Sequence, residues 1–253
     1  MGTIWESTEF SPFTFRSLSI LNANADNNEF HPTTSAFLFE FDHLVAKVRE
    51  ATYEALQRIF DDQDLTPLHL SRFGLTQTPA KLIETLQSEL GVKKGTPKKL
   101  GDEIINAVQS YVESAEVWIS DELRNVIVQA REREMPVYAL TALPPAARDA
   151  LGDRLDLSGL GIEYIAFGTG LEPYPRADAW LKASKDNDII GPSSMAITTS
   201  MAAVKSALTA GVHCVVVPDR FTEFQDFGGA QAVVDSPADI HLNELLLKPF
   251  ETV

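Results

Sequence analysis

The chain has one cysteine, Cys214, among its 253 residues. A single thiol excludes an intrachain disulfide and a thiolate metal cluster. Cys214 lies in the apolar run His213-Cys-Val-Val-Val217, where an inert core residue is the expectation. Basic residues are also scarce, 21 against 36 acidic ones, for a formal net charge of -15. That balance argues against a nucleic-acid partner, because such proteins gain much of their affinity by neutralising phosphates. It equally disfavours adsorption to anionic membrane, and is the charge of a well-solvated surface. No run reaches the roughly 18 apolar residues of a membrane span. The start, Met1-Gly-Thr-Ile-Trp-Glu6, lacks a basic region followed by an apolar one, so no signal peptide and a cytoplasmic location are expected. Familiar catalytic signatures are missing too: there is no G-x-S-x-G elbow and no H-E-x-x-H helix. The five histidines, His31, His43, His69, His213 and His241, are scattered. Gly168-Thr-Gly170 falls short of a dinucleotide or P-loop spacing and reads as a turn.

What is present is a core. Apolar residues make up 44% of the chain, enough for one large domain or a domain carrying a smaller insertion. Residues 1–34 are polar, Asn-rich and aperiodic, and read as an N-terminal extension, either partly disordered or packed over the surface, with Phe10, Phe13 and Phe15 to pin part of it. A first strand is expected over 36–41. From 46 to 134 helices dominate. Val48, Thr52, Ala55, Leu56 and Ile59 share one helical face. Leu82, Ile83, Leu86 and Leu90 share another, in a helix capped by Thr78 and opened by Pro79. Ile104, Ile105, Val108 and Val112 mark a third. A fourth runs over 117–133, with Val117, Leu123, Val126 and Ile127 apolar. Between the second and third lies the basic island Lys93-Lys-Gly-Thr-Pro-Lys-Lys99, a solvated turn or an anion-contacting loop. Trp118 and Trp180 are both expected in the core.

From 136 onward short strands alternate with helices. Strands are expected at Pro136–Leu140, Ile162–Phe167, Ser194–Thr198, Val212–Val217 and Gln231–Val234. Helices are expected from Pro144-Pro145 to Gly152, over 176–185, and from Met201 to Ala210, ended by Gly211. This alternation means a mostly parallel sheet covered on both faces. The helical block at 46–134 is too long for one crossover. It reads as a cap inserted over the strand ends, where α/β sheets place their sites. The expected organisation is an extension at 1–34, a core at 35–45 and 135–253, and a helical cap at 46–134.

The first strand is the most telling segment. Ser35-Ala-Phe-Leu-Phe-Glu-Phe-Asp42 is an apolar run ending in two carboxylates one residue apart, which a buried strand would deliver to the carboxyl edge of its sheet. With the architecture that follows, it resembles the haloacid dehalogenase superfamily, in the phosphatase and phosphoglucomutase-like branch with a helical cap. The resemblance covers about 35–240. It implies a three-layer Rossmann-like core and a phosphoryl-transfer site built from four motifs. The first is Asp-x-Asp-Gly-(Thr or Val), nucleophile and acid/base. Here Glu40 falls on the nucleophile, Asp42 on the acid/base, His43 on the glycine and Leu44 on the Thr or Val. The second is a phosphate-binding Ser or Thr at the end of the next core strand, matched by Thr141. The third is a lysine, matched by Glu172 in Glu172-Pro-Tyr-Pro175, a charge reversal. The fourth supplies the acids that hold Mg²⁺. It is matched by Thr198 and Thr199, with Ser200 following and Ala203 in place of a glycine.

Phosphoryl transfer needs positive charge opposite the phosphoryl group, and Mg²⁺ wants placed carboxylates. The resemblance therefore implies a pocket with carboxylates at Glu40, Asp42 and Glu172, and neutral hydroxyls where the metal acids belong. Glu40 is one methylene too long for the family's in-line attack, and about 1 Å of misplacement costs roughly a hundredfold. The expected function is that of a relative without phosphatase activity, binding a small anionic molecule or a protein, with no cofactor. Mg²⁺ is expected only if the reaction persists. The alternative is a diverged phosphomonoester hydrolase with Glu40 as nucleophile, Asp42 as proton shuttle and Thr141 on the phosphate. A third reading has Asp42 or His43 activate water. Thr198, Thr199 and Ser200 also have an ordinary use, capping the helix that begins at Met201. The same amides, with Thr141 and His43, would form a metal-free anion site. Arg176 and Lys205 are the nearby cations in the alignment.

Overall fold

The computed structural model describes residues 35–73, 78–114, 117–167, 177–242 and 245. They belong to one compact unit, His31–Val253; the other unit, Met1–Phe30, lies outside the described residues with the rest of the N-terminal extension. Among the described residues six strands, β1 (Phe37–Glu40), β2 (Val137–Thr141), β3 (Ile162–Ala166), β4 (Met195–Thr198), β5 (His213–Val216) and β6 (Ala232–Val233), form one sheet in the order β3-β2-β1-β4-β5-β6. Every pairing is parallel. β1 is central because it is apolar on both faces. Phe37 and Phe39 enter one hydrophobic cluster and Leu38 the other, as the alternation of a strand requires.

Helices follow where the apolar spacing puts them. The chain orders them as α1 (Phe41–Leu44), α2 (Val48–Ile59), α3 (Pro67–Phe73), α4 (Pro79–Leu90), α5 (Pro97–Val112), α6 (Asp121–Arg131), α7 (Pro145–Leu155), α8 (Ala177–Asp186) and α9 (Met201–Thr209). The Thr78 hydroxyl caps α4 by accepting from the Lys81 N–H, with Pro79 in the first turn. Ser120 caps α6 in the same way through Leu123. Gly101 lets α5 lie against α4, since a Cβ there would come within 2.8 Å of the Ala80 nitrogen. Gly211 ends the α9 segment at φ +77°, a conformation that costs glycine little. The basic island is a turn that runs into the start of α5 at Pro97, and its Lys94 ammonium reaches Asp61 (2.9 Å) and Asp62 (2.6 Å).

Four expectations change. The first strand ends at Glu40, and the chain turns directly into the one-turn helix α1. Asp42 therefore sits on a helical turn, which needs no glycine at His43. α6 begins at Asp121, after an extended stretch at 117–120, because Ser120 stops it. α7 continues through Gly152 to Leu155. Trp180 is fully buried as expected, but Trp118 is 65% exposed, because it lies on that extended stretch. α3 has no counterpart in the sequence reading. Among the described residues no helix is long and apolar enough to cross a membrane.

The helices between β1 and β2 share the core of the sheet. One cluster runs from Phe37 and Phe39 through Val48, Leu56, Leu86, Ile104 and Val112 to Val126 and Leu151. α6 itself packs against β2 and the short turn Pro237–Asp239.

Candidate functional site

Three strand ends converge at the carboxyl edge of the sheet, those of β1, β2 and β4. Glu40 ends β1 and is 0% exposed. Its Oε2 accepts the Thr199 hydroxyl, and its Oε1 has no partner among the described residues. Burial drives its pKa up to about 7, against the opposing pull of the Arg49 cation and hydrogen bonds from Thr199. Asp42, on α1, is also buried. Its Oδ1 accepts the Thr141 hydroxyl at 2.5 Å and its Oδ2 the Ala142 N–H at 2.8 Å. Burial raises its pKa to about 6, again partly offset by those hydrogen bonds.

Thr141, at the end of β2, is thus spoken for. Its one proton goes to Asp42, and its oxygen accepts from the Leu143 N–H at 3.0 Å. A phosphate brought there would find no free donor on this side chain. Thr198 turns away from the acids, and its hydroxyl donates to the Val215 carbonyl at 3.5 Å. Thr199, next in the chain, points the other way and joins them. Ser200 caps α9, accepting from the Ala203 N–H at 3.3 Å. The His43 ring is held neutral, its pKa well below the usual imidazole range because of burial and then the Arg49 charge. Lys205 is exposed on α9. Glu172 and Arg176, with Gly168-Thr-Gly170, lie outside the described residues. Cys214 is buried, and burial raises its thiol pKa to about 12, so it is unreactive.

The group missing from the sequence reading is Arg49. It projects from the first turn of α2 and is 3% exposed. Its Nη1 donates to Thr199 Oγ1 at 2.8 Å and to Asp219 Oδ2 at 2.6 Å. Asp219 follows β5, and its Oδ1 accepts from the Phe221 N–H at 2.9 Å and the Thr222 hydroxyl at 3.1 Å. The chain Asp219–Arg49–Thr199–Glu40 is a closed relay across the strand ends. It adds a built-in cation, Arg49, to a site expected to hold little positive charge beyond Arg176 and Lys205. Both residues leave a trace in the sequence. Arg49, Tyr53 and Leu56 share a helical face at i, i+4, i+7, and Asp219 follows the apolar run Val215-Val-Val-Pro, the same signal that marks Glu40.

The fold family implies Mg²⁺, and these residues do not fit it. Thr199, where a metal acid belongs, accepts from a guanidinium, and both Asp42 oxygens are occupied by donors. Mg²⁺ requires octahedral oxygen ligands, carboxylates among them, and the Arg49 charge opposes a divalent cation at this place. Among the described residues no three His, Cys, Asp or Glu side chains are grouped as metal ligands.

Over this relay lies a cavity of about 540 Å³. His43, Lys47, Arg49 and Thr199 line one side, and Trp118 and the Asp235–Pro237 turn contribute to the rest. Glu40, Asp42 and Thr141 are not among its lining residues.

No protein-family model and no curated protein matches the chain. Solved structures do. CbbY from Rhodobacter sphaeroides in complex with phosphate is 18% identical, with a TM-score of 0.65 over 82% of this chain and 96% of that one. A HAD hydrolase of family IA, variant 3, from Entamoeba histolytica is 18% identical, with a TM-score of 0.64 over 84% and 98%. The β-phosphoglucomutase of Clostridium difficile is 14% identical, with a TM-score of 0.62 over 84% and 96%. With its parallel sheet and the helices inserted after β1, the chain has the fold of the haloacid dehalogenase-like hydrolases.

Proposed function

We propose that this chain is a haloacid dehalogenase-fold protein that has given up metal-dependent phosphoryl transfer and acts by binding a small molecule in the cavity at its strand ends. The observation that carries this reading is the burial of Glu40 behind Thr199 and Arg49. A nucleophile must reach its substrate within about 3–3.5 Å. Glu40 is wholly buried, protonates near neutrality and is hydrogen-bonded to the residue that replaces a metal ligand.

We assign α2–α5 to the cap and α6 to the core, since α6 packs on β2. The cap is fastened to the loop after β5. Arg49 pairs with Asp219, Arg220 pairs with Glu50, and the Tyr53 and Phe221 rings lie 5.4 Å apart. Opening the cap as a lid would break all three contacts and split the shared apolar cluster.

The diverged-hydrolase reading keeps one point in its favour: Asp42, with a pKa of about 6, suits a general acid. Its proton partner and both oxygens are nonetheless already occupied. The two readings separate in a panel of phosphate esters assayed with and without Mg²⁺. The expected result is no Mg²⁺-dependent turnover by the wild type beyond that of Glu40→Gln. Robust Mg²⁺-dependent turnover that disappears in Glu40→Gln would overturn the binding reading.

A further inference from the structure

We propose that the cavity beside Arg49 takes a small organic monocarboxylate with a flat apolar body, held without a metal. The proposal rests on the reading of this cavity as a binding site and adds the chemical class of its occupant.

Two independent features make an oxyanion seat. Arg49 is almost wholly buried and lines the cavity. Its Nη1 is committed to Thr199 and Asp219, while its Nε–H is buried with no partner among the described residues. The guanidinium charge at the cavity wall favours an anion there. Beside it is the N-terminus of α2, a helix of 12 residues. Its cap position is held by Lys47 in the left-handed region at φ +50°, and the Lys47 side chain makes no capping hydrogen bond. Helix N-termini favour anions. The backbone conformation is unusual for a lysine, and Lys47 itself lines the cavity.

Charge selects the kind of anion. Among the described residues the lining holds three cations, Lys47, Arg49 and Arg220, and three carboxylates, Glu50, Asp219 and Asp235. Asp219 answers Arg49 and Glu50 answers Arg220. Lys47 has no ion pair among the described residues. A dianionic phosphate would leave this balanced lining two charges negative, in a chain already at -15. A carboxylate leaves it with half that excess. The other end of the ligand is set by Trp118 and Tyr111, which offer flat apolar surface to the cavity. The volume of about 540 Å³ lies within the roughly 300–1,000 Å³ of small-molecule sites.

The test is a titration in EDTA, followed by protein NMR and tryptophan fluorescence, with phenylacetate, acetate, inorganic phosphate and phenyl phosphate. Phenylacetate is expected to bind saturably, with acetate and both phosphates at least roughly tenfold weaker. Lys47→Gln is expected to weaken phenylacetate roughly tenfold, and Trp118→Ala several-fold, with the circular dichroism of both variants unchanged. No saturable response to phenylacetate up to about 10 mM, or binding that neither variant alters, would overturn the proposal. Inorganic or phenyl phosphate binding as tightly as phenylacetate would also overturn it, and assign the seat to phosphate. EDTA keeps this outcome separate from that of the turnover panel. A carboxylate site is read out here whether or not the protein hydrolyses esters when Mg²⁺ is supplied.

Discussion

Replacing Arg49 with methionine is expected to lower the unfolding free energy by about 2–4 kcal/mol. The side chain is buried and bridges Thr199 and Asp219. Methionine fills much of the same volume but leaves the Asp219 carboxylate without its cation. It also leaves the Thr199 oxygen without a donor and removes the positive charge that holds down the pKa of Glu40. Asp219 is about one-third exposed on its side chain, 32%, so water takes up part of the loss, which sets the estimate below that for a fully enclosed pair. Urea unfolding at neutral pH measures it. The coupling is read by adding Asp219→Asn. That change should cost markedly less in the Arg49→Met background than alone, because its cation is already gone. Equal costs in the two backgrounds would mean that the ion pair carries no net energy.

Glu40→Gln is expected to stabilise the protein at alkaline pH relative to its effect at acid pH. Burial raises the folded pKa of Glu40 from 4.5 to about 7. Between those values the folded state holds a proton that the unfolded chain has released. Stability therefore falls as pH rises through this window. The penalty is absent below about 4.5 and complete above about 7. Its size is on the order of 3 kcal/mol. Asp42, raised to about 6, acts in the same sense. Buried His43, held neutral, acts in the opposite one, losing stability as pH falls through the ordinary imidazole range. The difference between variant and wild type removes both contributions. It should grow by roughly 2.5 kcal/mol from pH 5 to pH 8, whatever constant offset the buried amide introduces. A difference that stays flat would mean that Glu40 is solvated or ionised throughout, and that the relay is not closed.

Most of the architecture was legible because it follows from two periodicities. Alternation of strands and helices after 136 gave the parallel sheet, and the stripes at Leu82–Leu90 and Ile104–Val112 gave α4 and α5. What misled was local. Apolar Phe41 reads as strand, yet the chain coils after Glu40. Trp118 reads as core, yet the Ser120 cap starts α6 late and leaves the ring on an extended stretch. The acids Glu40 and Asp42 and the hydroxyls Thr141 and Thr199 were legible as one cluster, because strand ends gather at one edge. Their wiring was not. Which of two adjacent threonines faces Glu40 depends on the pleat of β4 at its last residue, and the pairing of Arg49 with Asp219 spans 170 positions. A helix pattern scored for apolar residues also passes over a buried arginine.

The most direct measurement is of covalent capture at Glu40. The protein is incubated with acetyl phosphate and Mg²⁺ at neutral pH, quenched in acid, and its intact mass and Glu40-containing peptide are examined by mass spectrometry. A sealed, hydrogen-bonded Glu40 predicts no added phosphoryl group, with the wild type and Glu40→Gln indistinguishable. A single acid-stable acyl phosphate on Glu40, absent from Glu40→Gln, would contradict it and return the site to phosphoryl transfer.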